Sequence, residues 1–298
     1  MDIRFEHVTY RYADDQPEVP PALRDLNLEL GAGRFITVFG PPGSGKSTML
    51  QLCNGIYQPS EGEVYILDYR IRSGEKLKLA NELRRRVGLV FQFPERQLFE
   101  MTVLDDLCYG PVNFGIPREK AEQTARRVCQ LLGLDEAVLT ANPFHLSGGQ
   151  MRKAAIAAVL AAEPDILVLD EPTASLDPIS RDELLQIFRR LCDEEGKTII
   201  LVTHRLDEVL PYADEYVLLQ QGKRVFHGSA AELITGSAEL EARGFPMPST
   251  VRMIRRIFEH YRLPAENITR DALTPEGLAV CIHDILARRV EACAVPSS

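Results

Sequence analysis

An α/β fold with a parallel central sheet is predicted for this chain of 298 residues, on three observations. The apolar run Phe35-Ile36-Thr37-Val38-Phe39 leads into Gly40-Pro41-Pro42-Gly43-Ser44-Gly45-Lys46-Ser47-Thr48 and then Met49-Leu50-Gln51-Leu52, which reads as strand, glycine-rich turn and helix. Two later runs, Ile166-Leu167-Val168-Leu169 and Thr198-Ile199-Ile200-Leu201-Val202, are apolar at every position, as strands covered on both faces are. Between these landmarks, residues 98–162 carry helical spacing.

Taken in order, Ile3, Phe5, Val8 and Tyr10 alternate with polar residues and predict a half-buried strand that ends at Tyr12. Asp14-Asp15-Gln16-Pro17 and Pro20-Pro21 read as a loop. Leu23, Leu26, Leu28 and Leu30 mark a second strand, closed by the turn Gly31-Ala32-Gly33. After the glycine-rich turn, residues 63–71 read as one strand and 87–91 as a short apolar strand ending at Gln92. Ala121, Ala125, Val128, Leu131 and Leu132 recur on one helical face, with Pro117 at the start and Gly133 at the end. An alanine-rich helix spans 148–162, an amphipathic one 182–192, and a hairpin 217–226 turns at Gln221-Gly222. Ser229 and Glu232 suit a capping box. Gly244-Phe245-Pro246-Met247-Pro248 reads as a linker, 250–261 and 275–290 as helices, and Pro296-Ser297-Ser298 as a frayed end. The division expected is 1–240, with a helical subdomain over 98–162, and a smaller helical part, 241–298.

Composition narrows the function classes. The net charge of −9 argues against a nucleic-acid surface, which would show a basic face. The six cysteines include no C-x-x-C pair, which fits reduced core thiols better than a metal or redox site. No targeting segment precedes the first strand, and no apolar run is long enough to span a membrane. Any membrane connection has to run through a partner.

The glycine-rich turn fits G-x-x-x-x-G-K-[ST]. Glycines let the backbone curl until successive N–H groups form an anion nest, and the helix that begins near Lys46 adds its positive end. Lys46 places a cation on the outer phosphates of a nucleotide, and the Ser47 hydroxyl can ligate Mg²⁺. Pro41 and Pro42 lack N–H groups but fill variable positions, and the donors from Gly43 to Thr48 are intact. Asp170 and Glu171 end the strand that starts at Ile166. The first can hold the Mg²⁺ shell, and the second can orient and deprotonate an attacking water. Leu146-Ser147-Gly148-Gly149-Gln150 opens the alanine-rich helix as a second anion site. Two anion sites so far apart in sequence either converge on one nucleotide or serve different nucleotides across a dimer.

The order of these motifs, with Gln92, Ser175-Leu176-Asp177 and Thr203-His204 between or after them, resembles that of the ATP-binding-cassette ATPases over residues 1–235. That resemblance implies a P-loop NTPase core with an antiparallel β-subdomain and an α-helical subdomain. It implies two cassettes packed head to tail, Leu146, Ser147, Gly148, Gly149 and Gln150 of each closing over the ATP on the partner's phosphate loop. It further implies Tyr12 stacked on adenine, Gln92 touching Mg²⁺ and the attacking water, His204 on the γ-phosphate, and Asp177 communicating across the dimer. The family more often has glycine where Ser175 stands. With the catalytic set complete, both binding and hydrolysis of ATP are expected.

A compact interval of about 100 residues between Lys46 and Ser147 is similar to transporter cassettes and unlike repair ATPases with a long coiled coil. A single cassette is unlike translation-factor types. The stretch from Val87 through Gln92-Phe93-Pro94-Glu95-Arg96-Gln97-Leu98-Phe99 resembles the energy-coupling-factor transporter ATPases, in the version of their second subunit. This implies a second cassette, identical or different, and a small C-terminal domain holding the pair together. It implies a transmembrane coupling protein docked in a groove near Phe93, Pro94, Glu95 and Gln97, where Glu95 would suit an arginine of the coupling helix. A substrate-capture membrane protein completes an importer of a vitamin or transition-metal ion. The chain then lies peripherally on the cytoplasmic side of the cell membrane. The rival readings are a cassette ATPase acting on nucleic acid or protein assembly without a membrane, and a nucleotide-binding module without turnover.

Overall fold

In the computed structural model the described residues are 2–12, 18–75, 77–174, 176–263, 268, 270–274, 276–280 and 282–283. They form two compact units, one of residues 1–204 with 217–226, the other of 205–216 with 227–298.

The first unit contains two sheets. Strands β1 (Ile3–Tyr10), β2 (Leu23–Leu30), β4 (Glu61–Ile66) and β5 (Tyr69–Arg72) form an antiparallel sheet in the order β2-β1-β4-β5. Its alternation buries Ile3, Phe5, Val8 and Tyr10 against Leu26, Leu28, Val64 and Ile66. The second sheet runs β10-β9-β3-β8-β7-β6, with β3 (Phe35–Phe39), β6 (Val87–Val90), β7 (Ile166–Asp170), β8 (Thr198–Val202), β9 (Glu215–Gln220) and β10 (Lys223–Gly228). The pairs β3–β8, β7–β8 and β6–β7 are parallel, as the fully apolar runs predict. In register, Val38 faces Val202, which faces Asp170, so the carboxyl ends of three strands lie side by side. Ligands of open parallel sheets bind at that edge.

Helix α1 (Lys46–Cys53) follows β3, and a short α2 (Ala80–Arg86) precedes β6. The helical stretch resolves into α3 (Val103–Asn113), α4 (Arg118–Leu131) and α5 (Gly148–Leu160), and α6 (Pro178–Glu195) connects β7 to β8. Gly133, at φ 65°, closes α4. In the second unit α7 (Leu206–Val209), α8 (Ala230–Ala242) and α9 (Ser249–Tyr261) are helical. The Ser229–Glu232 capping box is formed, and α8 continues through Gly236. Phe245 and Met247 of the predicted linker are buried, and Arg255 of α9 donates to Ser237 and Glu241 of α8.

Residues 63–71 are not one strand. Leu67, at φ 51°, and Asp68 make a two-residue turn, and Ile66 pairs with Tyr69. The left-handed position carries leucine rather than glycine or asparagine, so the sequence gives no turn signal there. Helix α6 is also longer than 182–192, because Asp177 caps its start and Gly196 its end. Cys53, Cys108, Cys129 and Cys192 are buried thiols, and burial holds the Cys129 thiol up at about 11. The loop 14–17, most of the helix predicted over 275–290, Ser175, Cys281, Cys293 and the frayed end lie outside the described residues.

Candidate nucleotide hydrolysis site

Between β3 and α1 the glycine-rich turn makes two close approaches to the fold. Gly45 has φ 99°, and a Cβ there would meet the Ala22 carbonyl oxygen at 2.5 Å and Leu23 Cδ2 at 2.7 Å. Only glycine serves both needs. It precedes α1 without a side-chain cap, which leaves the first N–H groups of the helix facing the turn. Gly43 and Ser47 are exposed, whereas Ser44, Lys46 and Thr48 are buried. Lys46 Nζ donates to the carbonyls of Gly40 at 2.8 Å and Pro41 at 3.0 Å, and to Ser44 Oγ at 3.4 Å. Its ammonium therefore hangs over the turn. Burial pulls its pKa down, and Glu171 and Asp170 pull it back up. A bound polyphosphate would add to that upward pull.

Asp170 ends β7, and its carboxyl accepts a hydrogen bond from the Ser47 hydroxyl. Burial, chiefly, raises its pKa above the ordinary 3.8; Glu171 adds to the rise while Ser47 and Lys46 oppose it. Glu171 follows at φ 52°, a left-handed backbone for a residue with a Cβ, held by its N–H on the Val202 carbonyl at 3.0 Å. From the end of β8, His204 brings Nδ1 to 2.8 Å and 2.7 Å from the two carboxylate oxygens of Glu171. The imidazole orients the carboxylate, and His204 is exposed on its other side. Lysine, two acids and histidine thus meet at adjoining strand ends, as a phosphate-binding and water-activating site requires.

Tyr12 donates to or accepts from Thr48 Oγ1 at 2.7 Å, and its ring, 39% exposed, stands edge-on to Tyr10 and Tyr57. Tyr10 is core. Gln92 is exposed just after β6. Phe93 and Gln97 are exposed beside a 3-10 turn, Pro94–Gln97, whose Pro94 is buried. Ser147 caps α5, accepting from the Gln150 N–H, and Gln150 Oε1 accepts from the Ser147 N–H. Ser147, Gly148, Gly149 and Gln150 are exposed, and Leu146 is half-buried. Asp177 caps α6 through the N–H groups of Ile179 and Ser180, and the Ser180 hydroxyl holds its carboxyl below the ordinary range.

Glu95 differs from the expectation in one respect: an arginine of its own chain, Arg152 of α5, reaches it at 3.3 Å and 3.4 Å. The sequence reading passed over Arg152, because nothing in the local pattern pairs positions that far apart. Nor does it reveal that the apolar side chains Phe99, Met101, Tyr109 and Val112 are exposed, with Phe99 and Tyr109 edge to face at 4.8 Å. Their exposure was the missing signal, since sequence periodicity does not show which apolar groups the fold leaves uncovered.

The chain is similar to known proteins over most of its length. The family described as ABC transporter matches residues 23–174. The energy-coupling factor transporter ATP-binding protein EcfA2 of Bacillus cereus is 44% identical over 282 residues, 94% of this chain and 96% of that protein. The protein of the same name from Geobacillus kaustophilus is 43% identical over 288 residues, 97% and 98% of the two chains. Among solved structures, cbiO1 from Clostridium perfringens, part of the ABC transporter complex cbiONQ, superposes with a TM-score of 0.70 at 30% identity, covering 85% of this chain and 99% of that one. The ATP-binding cassette MJ0796, in a dimeric post-hydrolysis state bound to ADP and Pi, gives 0.69 at 30% identity, covering 76% and 98%. With a glycine-rich turn, an acidic strand end and a histidine gathered at one edge of the parallel sheet, and with relatives matched over nearly its whole length, the chain belongs to the ATP-binding proteins of the ABC transporter family.

Proposed function

We propose that this chain is the ATP-hydrolysing subunit of an energy-coupling-factor importer, driving uptake of a vitamin or transition-metal ion. The observation that carries the hydrolytic part is the Glu171–His204 contact beside Lys46 and Asp170. Glu171 takes the proton of the attacking water, and His204 holds Glu171 in place and reaches the γ-phosphate. Lys46 and the N–H groups from Gly43 to Thr48 bind the phosphates; Tyr12 stacks on adenine; Gln92 would touch the cation and the attacking water. Ser147, Gly148, Gly149 and Gln150, exposed at a helix start, close over the ATP of a second cassette, with Asp177 at the same interface. The dimeric MJ0796 cassette supports that pairing.

Mg²⁺ fits the residues present. The Ser47 hydroxyl already meets the Asp170 carboxyl, whose raised pKa marks a charge in want of a cation. Among the described residues no cluster of three His, Cys, Asp or Glu could hold a metal, which suits an ion completed by nucleotide oxygens and water. Ser47, Asp170 and Gln92 would hold it, and when bound it would neutralise the terminal phosphate oxygens. A stability test follows from the same shift. A carboxyl whose folded pKa is raised contributes most below the ordinary 3.8 and loses that contribution as pH rises through the folded value. Asp170→Asn is therefore expected to raise the Tm of the nucleotide-free chain at neutral pH by a few degrees and to abolish the Mg²⁺ dependence of ATP affinity. A lower Tm would show that the Ser47 bond outweighs the burial cost.

Among the described residues no helix is long and apolar enough to cross a membrane, so transport needs membrane partners. A transmembrane coupling protein would dock at Phe93, Pro94, Glu95 and Gln97, extended by Phe99, Met101 and Tyr109, and a substrate-capture protein would complete the complex. The C-terminal part, 241–298, would hold the cassette pair together; Met253 of α9, 49% exposed, offers it an apolar contact. The chain would then lie peripherally on the cytoplasmic face of the membrane. Affinity capture from detergent-solubilised native membranes is expected to bring down a second cassette and integral membrane proteins, with phosphate release from the complex. A chain that stays wholly soluble with no membrane partner would overturn the importer reading and favour a membrane-free ATPase.

A further inference from the structure

The Arg152 side chain is 5% exposed, and a buried guanidinium must be paired on every side to be tolerated. Its fork is divided between two segments. Nε and one terminal nitrogen donate to the two oxygens of Glu95, and the other terminal nitrogen donates to the Ala174 carbonyl. Ala174 in turn donates its N–H to the Glu171 carbonyl at 3.1 Å. Arg152 itself sits in α5, five residues after Ser147, and α5 packs on the 3-10 turn that holds Glu95. One planar group therefore joins the turn beside Gln92, the helix whose start carries Ser147 to Gln150, and the backbone turn that carries Glu171. All of these belong to the same compact unit.

We propose that Arg152 is a positioning residue that makes these three segments move as one, so that a load on the Pro94–Gln97 turn is felt at once by the helix start facing the second cassette and by the Glu171 turn. The proposal rests on the importer reading, because the load is that of the membrane partner. The physical basis is the rigidity of the fork. Guanidinium donors lie in one plane at fixed spacing, so Glu95 and Ala174 cannot separate without breaking a bond to a buried charge. Lysine keeps the charge but is a point donor on a flexible stem and cannot hold both partners at once.

The test is made on the native complex purified from membranes. Arg152→Lys is expected to lower partner-stimulated kcat for phosphate release by about tenfold or more, as small misplacements of reacting groups do. The KM for ATP and the affinity of the purified chain for a fluorescent ATP analogue are expected to stay within about twofold, since the hydrogen bonds of Arg152 go to Glu95 and Ala174, outside the glycine-rich turn. Glu95→Gln, at a side chain only 26% exposed but beside solvent, should act in the same direction, and the double variant should be no slower than the slower single. Unchanged stimulation in Arg152→Lys, multiplying effects in the double variant, or activity falling only with the folded fraction would each overturn the proposal. Should Arg152→Lys not fold, Glu95→Gln decides by the same kcat and KM readings on complex shown by affinity capture to be fully assembled; a loss traced to weakened assembly would overturn the proposal. A wild-type complex without partner-dependent hydrolysis would refute the importer reading itself and the proposal with it.

Discussion

Replacement of Glu171 by glutamine is expected to leave ATP affinity within a few fold and to slow phosphate release about a thousandfold, the scale at which a general base and its orientation contribute. The amide matches the carboxylate in size and can still accept from His204 Nδ1, which lies 2.7 Å from the nearer oxygen. It cannot take a proton from water. The position keeps its backbone φ of 52° in both forms, so the substitution tests charge rather than shape. With turnover blocked and ATP held, the cassette pair should accumulate in a closed form detectable by size-exclusion chromatography. Single-turnover phosphate release is the deciding measurement, and a rate within tenfold of wild type would remove Glu171 from the role of base.

Lys46→Ala is expected to weaken ATP binding about a hundredfold or more, through loss of charge-assisted hydrogen bonds in a buried site. The ammonium already rests among the Gly40 and Pro41 carbonyls, at 2.8 Å and 3.0 Å, so its location is fixed before any phosphate arrives. Burial lowers its pKa, and its charge is carried at a cost to the nucleotide-free fold. The variant should therefore fold normally, and a change in thermal stability is not the expected readout. Titration with a fluorescent ATP analogue checks it; affinity within about threefold of wild type would place the phosphate site elsewhere.

The parallel core was legible because its strands are buried on both faces, which leaves Ile166 to Leu169 and Thr198 to Val202 without a polar position. The glycine-rich turn between strand and helix was legible because its pattern is local: glycines, a lysine and a hydroxyl in nine consecutive residues. Helix α2 left no comparable trace, since Leu83 is its one buried residue and seven residues give no apolar period. The turn at Leu67 was hidden by a side chain that ordinarily avoids a positive φ. Tertiary pairing was least legible. His204 and Glu171 lie 33 positions apart and meet because β7 and β8 are parallel neighbours; Glu171 stands out as an acid at a strand end, but only the order of motifs points to His204. Arg152 and Glu95, 57 positions apart, had no motif to join them, and the exposed ring of Phe99 could be told from a core ring only once the fold was in view.

The left-handed backbone at Glu171 bears on how this protein can change over generations. A residue with a Cβ held at that φ costs about 1–2 kcal/mol that glycine would not. Selection for heat resistance alone would favour glycine at the position whose carboxylate the proposed chemistry needs. Lineages under thermal pressure without demand for turnover would drift toward robust, silent cassettes. An acid at this strained position is what the proposed hydrolysis calls for and what thermal stability alone would not favour.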